Sequence, residues 1–212
     1  MDAITVSLIT DRDEAIKEAG LALRAGRLVV FPTDTVYGIA ADAFNQAATS
    51  AIFRVKNRPR SLPLPVLVSR PRQAWALSSE VPPGALDLAG SFWPGALTMI
   101  LKQADELEWD LGESRGTIAV RMPAHQDLIA LLENVGPTAM TSANVSGEPT
   151  PRTVDEIRAR LGDEVAVYVD GGPSSMDTGS TIVDLTGSVA RVLREGPISS
   201  ADVARAIGPQ RP

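Results

Sequence analysis

Cysteine is absent from this 212-residue chain, and histidine occurs once, at His125. The first absence excludes disulfides, thiolate nucleophiles, iron–sulfur clusters and Cys-ligated zinc. The second excludes a His-rich metal site. Lysine occurs only at Lys17, Lys56 and Lys102, so 17 of the 20 basic residues are Arg. No run approaches the roughly 18 apolar residues of a membrane span. Met1 to Arg12 carries charges and lacks the apolar block of a secretory signal. The expectation is a soluble, cytoplasmic protein with no membrane partner. A net charge of −6 argues against a protein that coats nucleic acid, yet leaves room for a local basic pocket. The chain has no G-x-x-x-x-G-K-[ST] loop, no G-x-G-x-x-G after a strand and no H-E-x-x-H.

What is present is an ordinary globular balance, with 44% apolar and 22% charged residues. A chain of this mass buries roughly 70% of its surface on folding, enough for a core without staples. One domain over residues 1–212 is expected, and strand-like and helix-like segments alternate along it. Strands are predicted over 4–9, 27–31, 66–69, 97–102, 117–121, 137–141, 165–169, 181–185 and 189–193. Helices are predicted over 11–25, 45–54, 71–77, 82–92, 125–134, 153–161 and 199–207. Asp11 with Glu14, and Thr153 with Glu156, are capping signals. Pro63 and Pro65 place the strand at Val66 at an edge or a lead-in. The pattern is mixed α/β, and the closely spaced C-terminal strands point to partly antiparallel pairing.

Four loops hold unusual chemistry. "FPTDTVYG" gathers Thr33, Asp34, Thr35 and Tyr37; the same residues also make a Pro-initiated turn. "KNRPRS" places Lys56 and Arg58 two apart. Read as extended chain, both project to one side and could address one phosphate chain, unless they form a solvated turn at a helix end. "TSANVSG" offers Thr141, Ser142 and Asn144 just after an apolar strand, where α/β sheets place ligands. "DGGPSSMDTGST" has the glycines of a backbone anion nest, or of a flexible connection. Arg121 and Arg194 stand at strand ends, where a guanidinium can fork a carboxylate or phosphate. His125 reads as a helix-start residue and Trp93 as a core anchor.

In this order, "GRLVVFPTDTVYGIAADA", "IFRVKNRP", "SFWPGALTMIL", "GTIAVRMPAH", "TSANVSGEPTP", "GSTIVDLT" and "VLREG" resemble the YrdC/TsaC family of threonylcarbamoyl-AMP synthases over about residues 26–196. The resemblance implies a single YrdC-like domain, the short form of the family. Its fold would be a twisted mixed parallel and antiparallel sheet, flanked by helices, with a large concave cavity. It implies synthesis of threonylcarbamoyl-AMP and pyrophosphate from L-threonine, bicarbonate and ATP, with Mg²⁺ accompanying the ATP; no residue is assigned as a metal ligand. The product would feed a threonylcarbamoyl transferase complex that modifies tRNA. Carried over by position, Lys56 and Arg58 resemble the catalytic phosphate-binding pair. Thr117, Ser142, Asn144, Thr150 and Arg194 resemble further ATP contacts. Thr35, Arg121, Thr141 and Ser180 resemble threonine contacts. Three positions depart from the family pattern: Leu62 where Asn is usual, Leu67 where a polar residue is common, and Gly179 where Glu is usual. An RNA-binding module of the same fold, or weak RNA binding beside synthesis, stays open as an alternative. So does a related carbamoyl-adenylate enzyme.

Overall fold

Alternation in the short apolar runs builds a sheet with two different faces. The structure is a computed structural model that describes residues 3–208; positions 1, 2 and 209–212 of the expected domain lie outside the described residues. In chain order the strands are β1 (Ile4–Ser7), β2 (Leu28–Phe31), β3 (Gly38–Asp42), β4 (Val66–Leu67) and β5 (Leu97–Lys102), then β6 (Thr117–Arg121), β7 (Thr138–Ser142), β8 (Val165–Asp170), β9 (Thr181–Asp184) and β10 (Arg191–Arg194). They form one sheet in the order β1-β8-β2-β3-β7-β4-β6-β5-β9-β10. Pairing is mixed. β1 and β2 run parallel to β8, β4 to β6 and β5 to β9. β2–β3, β3–β7, β4–β7, β5–β6 and β9–β10 are antiparallel.

The helices start where their caps are. For α1 (Arg12–Arg24) the Asp11 side chain accepts from Glu14 N; for α5 (Gln126–Val135) the His125 ring accepts from Leu128 N. Thr153 and Glu156 close a reciprocal capping box on α6 (Val154–Leu161), and Ser199 and Asp202 close another on α7 (Ser200–Ile207). The remaining helices are α2 (Gln46–Val55), α3 (Pro71–Ala76) and α4 (Pro83–Phe92).

In β2 the residues divide by parity between two cores. Leu28 and Val30 join a large core with Ile52 and Phe53 of α2, Leu88 of α4, Ile157 of α6 and Val203 of α7. Val29 and Phe31 face the opposite side, with Ile16 and Leu23 of α1 and Leu128 and Leu132 of α5. Trp93 sits in the large core, donates its indole N–H to Leu97 O at 2.8 Å and stacks on Trp75.

Three expectations are corrected. β3, in "GIAADAF", carries few β-branched residues and was not expected as a strand. β4 is no edge: it pairs with β6 and β7 on either side, Pro63 and Pro65 lie only in its lead-in, and Pro65 still accepts from Met140 N at 2.9 Å. The Lys56–Arg58 segment is not extended. Lys56 is the C-cap of α2, and Asn57 takes a left-handed φ of 51° that turns the chain between the two cations.

Candidate functional site

Helices α1 and α5 cover only part of their face of the sheet. Beyond β7 and β4 that face is open, and parity decides what it shows. In β5, Leu97, Met99 and Leu101 enter the large core, while Thr98 and Ile100 face the opening. In β6, Ile118 and Val120 enter the core, while Thr117, Ala119 and Arg121 face the opening. Ser180 and Ile182 continue the floor, and Arg194 stands at its margin beside a register shift between Val192 and Arg194. The result is a cavity of about 460 Å³, walled by Thr33 and the 35–38 segment, by Arg58 with the 62–65 segment, and by Thr141, Ser142 and Thr150. Its lining contains three Arg, many hydroxyls and no carboxylate.

Arg121 is the deepest of the three, at 6% exposure. Its Nε donates to Gly95 O at 3.0 Å, Nη1 to Thr35 Oγ1 at 3.1 Å and Nη2 to Asp34 Oδ1 at 2.8 Å. A guanidinium has five N–H groups, so two remain for a ligand. Burial lowers its pKa and the Asp34 carboxylate opposes that shift. Thr35 is itself oriented through Thr33, 3.0 Å away and bonded to Val36 O. Arg58 is half-buried and donates to Leu62 O and Pro63 O. Arg194 donates through Nε and Nη2 to Ser180 O at 3.0 and 2.7 Å. Its head lies over Gly179, where a Cβ would sit 2.8 Å from Nη2. Desolvation lowers the pKa of Arg58 and Arg194; the Arg194 charge further lowers that of Arg58, and the Arg121 charge that of Arg194. The three cations therefore share one electrostatic space, and an anion among them relieves their repulsion.

Lys56 is placed differently. It is 1% exposed and does not line the cavity. Its Nζ donates to Ser142 O and Asn144 O, each at 2.5 Å, and to Asn144 Oδ1 at 3.2 Å. Ser142 Oγ donates to the same Oδ1, and Ser146 N returns to Lys56 O at 2.8 Å. Lys56 thus fastens the 142–146 loop to the end of α2. Burial, with the Arg58 charge, brings its pKa down to about 7. Asn144 is likewise spent inside this network, donating to Val145 O and Glu148 O. On the opposite wall, the Tyr37 hydroxyl donates to Gly172 O at 2.6 Å and accepts from Gly171 N, tying the glycine loop to the first loop.

Of the residues singled out in the sequence, the cavity gathers Thr35, Arg58, Thr117, Arg121, Thr141, Ser142, Thr150, Ser180 and Arg194; Lys56 and Asn144 stand behind it. Leu62 and Leu67 both line it, so two of the three departures contribute apolar wall. His125 caps α5 against Phe31 and takes no part. Thr98 and Ala119 were missed; parity within "LTMILK" and "TIAVR" carries the signal for both.

The sequence profile of the Sua5/YciO/YrdC family, described as telomere recombination, matches residues 21–196. A Mycobacterium tuberculosis protein with the provisional name threonylcarbamoyl-AMP synthase is 50% identical over 197 residues, 93% of this chain and 91% of its own length. Bacillus subtilis threonylcarbamoyl-AMP synthase is 36% identical over 203 residues, 95% of this chain and 59% of its own. The crystal structure of P. abyssi Sua5 complexed with L-threonine aligns with a TM-score of 0.90 at 34% identity, covering 100% of this chain and 62% of that one. The chain therefore spans under two thirds of the Bacillus and P. abyssi proteins. With most of its length matched and its sheet shared throughout, the chain belongs to the Sua5/YciO/YrdC family.

Proposed function

We propose that this chain is an L-threonylcarbamoyladenylate synthase, making threonylcarbamoyl-AMP and pyrophosphate from L-threonine, bicarbonate and ATP in the cytoplasm. The observation that carries the reading is the cavity of about 460 Å³ ringed by Arg58, Arg121 and Arg194 and free of lining carboxylates. All three substrates are anionic or carry a carboxylate. The relatives' names and the L-threonine complex of P. abyssi Sua5 support the same reading.

The connectivity of the product dictates the steps. The threonine amine bonds to the bicarbonate carbon with loss of water. A carboxylate oxygen of the resulting carbamate then attacks the α-phosphorus of ATP, the bond to the β-phosphate oxygen breaks, and pyrophosphate leaves. No side-chain nucleophile is needed, so the protein's task is positioning and charge stabilisation. The two free N–H groups of Arg121, oriented by its bond to Thr35 Oγ1, hold the threonine carboxylate. Arg58 and Arg194 at the mouth hold phosphates, and Thr117, Thr141, Ser142 and Thr150 supply hydroxyls between. Lys56 and Asn144 act on the nucleotide side through the 142–146 loop.

Mg²⁺ enters in this reading as part of the nucleotide substrate. The lining has no carboxylate, and among the described residues no cluster of His, Asp and Glu is suited to a metal. That donor set does not fit a resident Mg²⁺, whereas phosphates and water satisfy one. The product would pass to a threonylcarbamoyl transferase complex acting on tRNA. The test is incubation with ATP, bicarbonate and a panel of amino acids, followed by mass detection of the adenylate. The expected result is a threonine-dependent adenylate with matching pyrophosphate. A serine adenylate without a threonine one, or tight RNA binding without ATP turnover, would overturn the reading.

A further inference from the structure

Ser180, a threonine contact by resemblance, forms a hydroxyl pair with Thr98, a residue so far without a role. Their oxygens lie 2.7 Å apart, at 4% and 5% exposure, on the cavity floor. Two hydroxyls carry two protons, and only one proton occupies the bond between them. Ser180 Oγ also receives an N–H from Arg194 Nη2 at 3.4 Å. A guanidinium only donates, so this contact uses one lone pair of Ser180. If Thr98 donates to Ser180, both lone pairs of Ser180 are filled and its own proton is left to point away. Among the described residues neither hydroxyl has a second protein acceptor. Facing the cavity without a protein acceptor, that proton is available to a ligand oxygen.

The register says which ligand. β5 and β6 pair Met99 with Val120, which makes Arg121 the cross-strand neighbour of Thr98 on the cavity face. Leu97 pairs with Thr181, which brings Ser180 to the same end. Thr98, Ser180 and Arg121 are the deep polar groups of the floor, whereas Arg58 and Arg194 stand nearer the mouth. The smaller substrate fits the deep end. A Ser180 O–H committed to donate, beside a guanidinium, suits a carboxylate oxygen, which only accepts.

We propose that Thr98 is a positioning residue of the amino-acid subsite: it donates to Ser180 and so commits the Ser180 hydroxyl to donate to the substrate carboxylate. This rests on the synthase reading. Thr98→Val keeps the shape and removes the proton. Its threonine KM should rise about 10–100-fold, the range for losing a hydrogen bond to a charged group, with ATP KM within about twofold of wild type. Thr98→Ser should return threonine KM to within about threefold. Ser180→Ala should match Thr98→Val, and the double variant should be no worse than either single one. L-Threoninol, which lacks the carboxylate, should inhibit wild type and Thr98→Val equally weakly. An unchanged threonine KM in Thr98→Val, equal damage in Thr98→Ser, or a parallel rise in ATP KM overturns the role. If Thr98→Val does not fold, Ser180→Ala decides: an unchanged threonine KM there overturns it. Wild-type protein with no threonine-dependent pyrophosphate release fails the synthase reading itself, a distinct outcome.

Discussion

Lys56 is a buried cation that stands behind the cavity lining and ties down one of its loops. Its Nζ lies within hydrogen-bond distance of three oxygens of the 142–144 segment. Removing it strands those acceptors, so Lys56→Met should cost about 2–4 kcal/mol of stability and weaken ATP binding more than threonine binding. Urea titrations and separate KM values check both. The same residue gives a signed pH effect. Its folded pKa is brought down to about 7, against about 10.4 in an unfolded chain. Between those values the unfolded chain holds a proton that the folded one has released. Wild-type stability relative to Lys56→Met should therefore rise by about 1.4 kcal/mol per pH unit between about pH 7 and about pH 10.4 and flatten on either side. A difference that falls with rising pH would place the proton on the folded state and reject the assignment. The sequence marked Lys56 as unusual through its scarcity, yet its direction was not legible. That direction depends on the left-handed turn at Asn57, which only the path of the chain reveals.

At the scale of elements, one rule does most of the site-building: even and odd residues of β5, β6 and β9 face different environments. Ala119 sits on the cavity floor between Thr117 and Arg121, with open space above it. Ala119→Leu should fill that space, raise the KM of ATP or threonine more than 10-fold and leave the unfolding midpoint within about 2 °C, since no core neighbour is displaced. A midpoint drop above about 5 °C would mean that Ala119 is packed, not open. Gly38 makes the opposite case. A Cβ there would lie 2.6 Å from Met140 Cε and 2.9 Å from its Cγ. Gly38→Ala should therefore destabilise by about 1–3 kcal/mol through overpacking, read by denaturant melts. This also explains why β3 escaped notice: "GIAADA" is a strand because small residues let β7 approach, and small residues send no β-propensity signal. The capped helices were legible to within a residue or two, because side chains two to four positions apart decide a cap. The interior position of β4 was not, because its partners β6 and β7 lie far along the chain.

At the scale of the whole molecule, a net charge of −6 surrounds a cavity that holds three Arg. The acidic surface repels ATP at long range, but screening limits that reach to roughly 8–10 Å at ordinary ionic strength. Inside the cavity the three guanidiniums act at close range, with burial weakening their screening. Binding there should couple to the whole fold, because the floor strands β5, β6, β9 and β10 belong to the same sheet as β1 and β8. Unfolding should be a single transition, and a ligand at about 100 times its Kd should add about 2.7 kcal/mol. For a chain of this length that is a rise of about 5–10 °C in Tm. Magnesium-ATP with threonine should produce that shift in wild type, and less than half of it in Arg58→Ala or Arg194→Met. The arginine variants must lose affinity, since each removes one of the cations whose mutual repulsion only an anion offsets. A full shift in both variants would show that the phosphates sit elsewhere. Two separate transitions, with only one moved by ligand, would show that the floor strands fold apart from the rest of the sheet.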